Sequence, residues 1–312
     1  NNHNAMAVAI SSLQDKWQTE INNQDYQLIR WLIKKDGTDI FKGFLKVESS
    51  VHGSLEETFI VFFTPFQEEY SHAYFLIKDW LELFAMEVQD KGLPLWEDHS
   101  ILKEQWELLS PEAHHQEENS YLLAALLQSF KKYSSKNRKL VFGLLPYAVS
   151  NEKGYINWIE NMLALFPKDV ALMITDELGD EKYERLFGKE EKGRITLSTD
   201  KCFDTQNIYQ QLATSGNPDD PHIAFRQCVF SMGESAGKGN KQGVYEWGEK
   251  ALACTQGSGD KLLWASAHIV YAGFLFGFKS TEKIHQLLDN GMNITRTMLD
   301  NEATQTAASG LL

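Results

Sequence analysis

Cysteine is scarce in this chain of 312 residues: Cys202, Cys228 and Cys254 are the only three, and they form no C-x-x-C pair. An odd, sparse set argues against a disulfide framework and reads as reduced thiols, the pattern of a cytoplasmic protein. Proline is also scarce, with seven residues, so long regular elements are allowed. No run approaches 18 consecutive apolar residues, so no transmembrane insertion is expected. The N-terminal Asn1-Asn2-His3-Asn4 lacks the basic-then-apolar pattern of a signal peptide. Histidine is present but not at ligand spacing. His52, His72, His99, His114, His115 and His222 show no H-E-x-x-H or Cys/His pattern, so no metal site is expected.

Positive charge is in deficit. Lys and Arg number 30 against 43 Asp and Glu, a formal charge of −13. Such a surface repels phosphate backbones, which argues against a nucleic-acid partner. The local exception is Lys131-Lys132-Tyr133-Ser134-Ser135-Lys136-Asn137-Arg138-Lys139, which reads as a solvated helix end and loop.

Against these deficits stand 43% apolar and 12% aromatic residues, enough for a sizeable core over two modest domains. Residues 5–50 read as helical, with Leu28, Trp31 and Leu32 on one helix face. Thr58-Phe59-Ile60-Val61-Phe62-Phe63 reads as a strand buried on both faces. After the turn Thr64-Pro65-Phe66, apolar residues recur at helical spacing from Tyr70 to Phe84. Leu140–Pro146, Val170–Thr175 and Arg194–Ser198 are further strands, separated by helical segments. The expected fold class is therefore α/β, a mostly parallel sheet covered by helices, followed by an all-α helical-hairpin region. The expected domains are 1–213 and 214–312, with Thr214–Pro221 as the linker. Beyond it, helix pairs recur at about forty residues, a spacing that suits helical-hairpin repeats. Trp247-Gly248-Glu249 and Asn290-Gly291-Met292 occupy the second helix of each pair.

Three patterns bear on chemistry. Gly233-Glu234-Ser235-Ala236-Gly237 is a literal G-x-S-x-G. In α/β-hydrolases that pentapeptide exposes a serine on a strand-to-helix turn, and Asp260 with His268 or His285 could complete a triad. No strands follow to carry the acid and the histidine, so an inter-helix turn is the favoured reading. The second pattern, Gly233-x-x-x-Gly237-Lys238-Gly239, is one residue short of a P-loop and has glycine where the magnesium-binding hydroxyl should stand. The third, Ala171–Glu177, ends a buried strand in Asp176-Glu177. A magnesium-orienting acid pair could stand there, although acids also commonly end buried strands.

The order strand-helix (Thr58–Phe84), helix-strand (Tyr121–Pro146), helix-strand (Ile156–Glu177), short strand (Arg194–Ser198) and helical hairpins resembles the AAA+/STAND class of P-loop NTPases followed by a tetratricopeptide-like region. The position where that class carries G-x-x-x-x-G-K-[ST] reads Phe63-Thr64-Pro65-Phe66-Gln67-Glu68-Glu69-Tyr70. Pro146 stands where a catalytic acid would. The resemblance thus implies a degenerate member that keeps the scaffold without nucleotide chemistry or a cofactor. The functional expectation is a non-catalytic cytoplasmic scaffold or adaptor binding a protein partner through its helical region. Tyr245, Trp247, Trp264 and Tyr271 are the candidate anchors. The alternatives are a serine hydrolase using Ser235 and a cryptic ATP-binding protein using Asp176 and Glu177.

Overall fold

Five short strands form one all-parallel sheet: β1 (Leu28–Ile33), β2 (Thr58–Phe62), β3 (Leu140–Leu144), β4 (Val170–Glu177) and β5 (Arg194–Ser198). Their order is β2-β3-β4-β1-β5, with Leu28 level with both Leu172 and Arg194. The computed structural model describes residues 5–21, 24–134, 137–189 and 191–309, with side chains as far as Asp300. The N-terminal tetrapeptide, residues 135–136 of the basic segment and the side chains of residues 301–312 lie outside the described residues. The α/β class with a following all-α region is what the sequence pattern calls for.

Two sequence expectations are corrected. Leu28–Ile33 is not helical but β1, an interior strand buried along almost its whole length. Its six residues fit either period, and the helix reading fails because the run is flanked by β4 and β5, whose positions only the fold supplies. Conversely, β2 is an edge strand and not one buried on both faces. Ile60 and Val61 are half-buried, and Phe63 just beyond the strand is 48% exposed.

The connection from β1 to β2 runs three places along the sheet, and every later connection runs the other way. Right-handed crossovers travelling in opposite directions put their helices on opposite faces. One face is covered by α1 (Ala5–Ile21) and α2 (Thr38–Glu48). There Trp17 stacks on Trp31 at 6.5 Å, and Phe41 and Phe44 close around Trp31. The other face carries α3 (His72–Lys91), α5 (Gln116–Ser134) and α6 (Glu152–Leu163), with α4 (His99–Glu107) packed on α3 and α5. Leu76, Trp80, Leu123, Phe142 and Ile159 form its fully buried centre.

The chain divides into two compact units, Asn1–Asp204 and Thr205–Leu312. The division falls nine residues before the expected 213/214 because α7 (Thr205–Thr214) packs on α8. The second unit continues with α8 (Pro221–Gly237), α9 (Lys241–Gln256), α10 (Lys261–Leu275) and α11 (Thr281–Ser309). Polar turns start three of these helices: Asp220, Asn240 and Asp260 each accept a hydrogen bond from a first-turn amide. Helices α8 and α9 form one hairpin, α10 and α11 another, and α9 packs on α10. Residues 261–278 are the one described stretch long and apolar enough to cross a membrane by composition. In the structure, Leu263, Ala267, Tyr271 and Leu275 on that stretch are buried.

The two glycines noted in the second helix of each pair play different parts. A Cβ on Gly291 would meet His268 of its own hairpin at 3.3 Å. One on Gly248 would lie 2.2 to 2.4 Å from ring atoms of Tyr271, the fully buried side chain of the following hairpin. Gly248→Ala is therefore expected to destabilise the second unit by about 1–3 kcal/mol through forced separation of α9 and α10. Urea titration of the full chain measures it, and Tyr271→Ala in the same chain should relieve part of the loss. An unchanged midpoint would show that the crossing is not tight.

Candidate functional site

In an open α/β sheet the crevice where strand order reverses is the first place to look for a ligand. Here it lies at the carboxyl ends of β1 and β4, not after β2, the position at which the sequence was compared with a phosphate loop and found without one. After β1 a single 3-10 turn, Lys35–Gly37, leads straight into α2. The Lys34 ammonium pairs with Asp200 at 3.1 Å, and the Gly37 amide donates back to Lys34 O at 2.8 Å. Asp39 sits in the first turn of α2, so the helix end already carries an anion.

The other side of the crevice is filled by a buried ionic network. Arg30 and Asp176 have side chains 4% and 2% exposed and meet at 3.2 Å. Arg30 also pairs with Glu184 at 2.9 Å, donates to Thr196 Oγ1 and lies 4.4 Å from the centre of the Phe187 ring. The Asp176 carboxylate accepts from Arg30 and from the backbone amides of Glu177, Lys182 and Tyr183 at 3.0 to 3.2 Å. Its lone pairs are thereby engaged within the protein, which leaves no open ligand direction for a magnesium ion. Glu177 is exposed. Among the described residues no group of three or more His, Cys, Asp or Glu is arranged to hold a metal.

At the β2–α3 junction the backbone is likewise occupied. Phe66 N donates to Ala148 O at 2.9 Å and Ser150 N to Phe66 O at 3.0 Å, so the loop is zipped to the one after β3. Phe66 is 1% exposed and packs on His72 and Tyr155, and the rings of Phe66, Tyr155 and Trp158 lie 4.5 to 6.1 Å from that of His72. Neither His72 nitrogen has a hydrogen-bond partner, nor do Tyr155 Oη and Trp158 Nε1. Burial lowers the His72 pKa from 6.5 to about 3, and the nearby Pro65 carbonyl opposes that only in part.

In the second unit, Gly233–Gly237 forms the last turns of α8, with no strand before it. Ser235 is 9% exposed, and a Cβ on Gly243 would lie 2.5 Å from its Oγ. A side chain at position 243 would therefore collide with the serine, so glycine stands there where α8 and α9 approach. The proposed triad is not assembled. Asp260 caps α10 and lies 3.6 Å from His222 at the start of α8, about 20 Å along that helix from Ser235. The His268 Nδ1 is engaged with Trp264 O at 2.8 Å, and His285 is exposed. All three cysteines are free thiols, and burial pushes the Cys228 thiol up to about 11, with the Cys254 thiol beside it.

Of the four aromatic anchors, Tyr271 is fully buried, bonded to Glu249 Oε1 at 3.2 Å, and so presents nothing to a partner. Tyr245, Trp247 and Trp264 are half-buried. Tyr245 packs edge-on to Tyr271, and Lys250 covers Trp247 at 4.1 Å. Among the residues of this unit that do present apolar surface, Leu262, Ile269 and Phe276, which are 61%, 55% and 65% exposed, escaped the sequence reading. Their seven-residue spacing on a helix apolar all round was the available signal, for it means one face more than the core requires. No protein-family model and no curated protein matches the chain.

Proposed function

We propose that the protein is a non-catalytic cytoplasmic adaptor that binds a protein partner through its helical region, on an α/β scaffold resembling AAA+/STAND NTPases without their nucleotide chemistry. The observation that carries this reading is the α10 stripe of Leu262 and Ile269, continued by Phe276 in the 3-10 turn that follows the helix. Large apolar side chains in a row on a helical-hairpin surface are the anchors that helical arrays offer to partners. The saturated Asp176 carboxylate, with no free direction toward a substrate, and Ser235, nine-tenths buried in a helix with no assembled triad beside it, supply the complementary support.

The test uses the full chain and its Ile269→Asp and Phe276→Asp variants as bait in the native host extract. The wild type should retain one partner in stoichiometric amount. Each variant should lose it by at least about tenfold, equivalent to about 1.4 kcal/mol, while its unfolding midpoint stays unchanged. Equal retention by both variants would remove the stripe as the binding surface.

A further inference from the structure

A second apolar surface lies in the first unit, on elements that neither the sheet crevice nor the α10 stripe involves. Helices α4 and α5 leave between them a groove of about 440 Å³, lined by Leu108, Leu109, Tyr121, Leu122 and Ala125. Leu108 is 82% exposed and Tyr121 55%, and Ile101, two turns back from Leu108, is 56% exposed. Residues of this size left open beside one another are uncommon on a surface without a partner. The floor of the groove is shaped by necessity. Leu102, Leu122 and Leu126 are committed to the core, and Trp106 is tied to α3 by its Nε1 bond to Tyr74 O at 3.1 Å. The outward side chains of α4 and α5 are therefore surplus to packing.

Charge indicates what fits. The segment 97–118 carries seven acids and one lysine. Glu118 lines the groove itself, and Glu104, Glu107 and Glu117 are exposed on the two helices that flank it; none of the four is in an ion pair with a described residue. From Glu118 to Ala125 the α5 wall spans two turns, about 10 Å, the length over which an apolar i, i+3, i+4, i+7 face is read. We propose that this groove docks an amphipathic helix of a protein partner, its apolar face on Leu108 and Tyr121 and its lysines or arginines against the glutamate rim. An anionic bilayer would be repelled by the same rim.

The probe is an 18-residue peptide of leucine and lysine at helical spacing, titrated into the full chain by fluorescence anisotropy. A leucine/glutamate peptide of the same pattern serves as control. The lysine peptide should bind with salt-dependent affinity, and the glutamate peptide should not. Leu108→Asp should weaken binding by about tenfold or more, and Glu118→Lys should weaken it and flatten the salt dependence. Both positions are exposed, so the variants should fold, and Ile269→Asp should bind as the wild type does. The proposal is overturned if the lysine peptide does not bind, if Leu108→Asp leaves its affinity unchanged, or if the glutamate peptide binds equally. It is also overturned if the wild type sediments as a dimer that Leu108→Asp converts to monomer, because the occupant would then be a second copy of this chain.

Discussion

Lowering the pH from 7 to 4 is expected to take about 3 kcal/mol of stability from the first unit through His72 alone. The ring is 1% exposed among Phe66, Tyr155 and Trp158, with neither nitrogen bonded. In the folded chain it takes up a proton only near pH 3, whereas the unfolded chain does so near 6.5. Between those values the unfolded state holds the extra proton. The contribution is therefore complete above pH 6.5 and is lost as the pH falls toward 3. Other groups also titrate in this range, so the comparison that isolates His72 is with His72→Phe, which keeps an aromatic ring in an aromatic site. Relative to that variant, the wild type should lose about 3 kcal/mol between pH 7 and 4. Urea unfolding followed by tryptophan fluorescence reports it, because six of the eight tryptophans lie before residue 205. Parallel pH curves for the two proteins would mean that the ring is hydrated and protonates freely.

Asp176→Ala should destabilise the first unit by about 3–5 kcal/mol, the range for removing one partner from a buried ion pair. The carboxylate anchors Arg30 and three backbone amides that hold the turn after β4. Glu184, with its side chain 65% exposed, remains near Arg30 but is a weaker anchor in solvent. This outcome separates two roles for the same residue. An aspartate kept to orient magnesium is an electrostatic burden without its metal, and replacing it would leave stability level or raise it. An aspartate that closes a strand-to-turn network takes the unit down with it. A loss of the expected size, read as a drop in the urea midpoint at pH 7, supports the second role. A midpoint at or above wild type sinks it.

Four of the five strands were legible because each is a short β-branched or aromatic run bounded by turn residues. Val170–Thr175 and Leu140–Pro146 differ from the observed strands by a residue or two at one end. The linker Thr214–Pro221 was legible as polar chain, but that its Asp220, like Asn240 and Asp260 further on, caps a helix was shown only by the structure, where each accepts from a first-turn amide. β1 was not legible. Leu-Ile-Arg-Trp-Leu-Ile suits either period, and a charge within an apolar run looks like a solvated face until its partner is known. That partner, Asp176, lies 146 residues further on. The exposed stripe on α10 was hidden for a related reason: a helix apolar all round does not say which of its sides neighbours will cover.

Composition and periodicity by themselves determined the class of this protein, a parallel α/β layer followed by helical hairpins, because burial and hydrogen bonding within a segment depend on local sequence. They also determined that no glycine-lysine cradle follows the strand at Thr58–Phe63, where the sequence reads Thr64-Pro65-Phe66-Gln67-Glu68-Glu69. Tertiary structure alone decided strand order, hence the crevice at β1 and β4, since crossover directions are properties of pairs of distant elements. It alone decided that Asp176 closes a network, that Ser235 is a packing residue against Gly243, and that Leu262, Ile269 and Phe276 remain uncovered. Each of these depends on which atoms stand opposite, and only the folded chain brings them there.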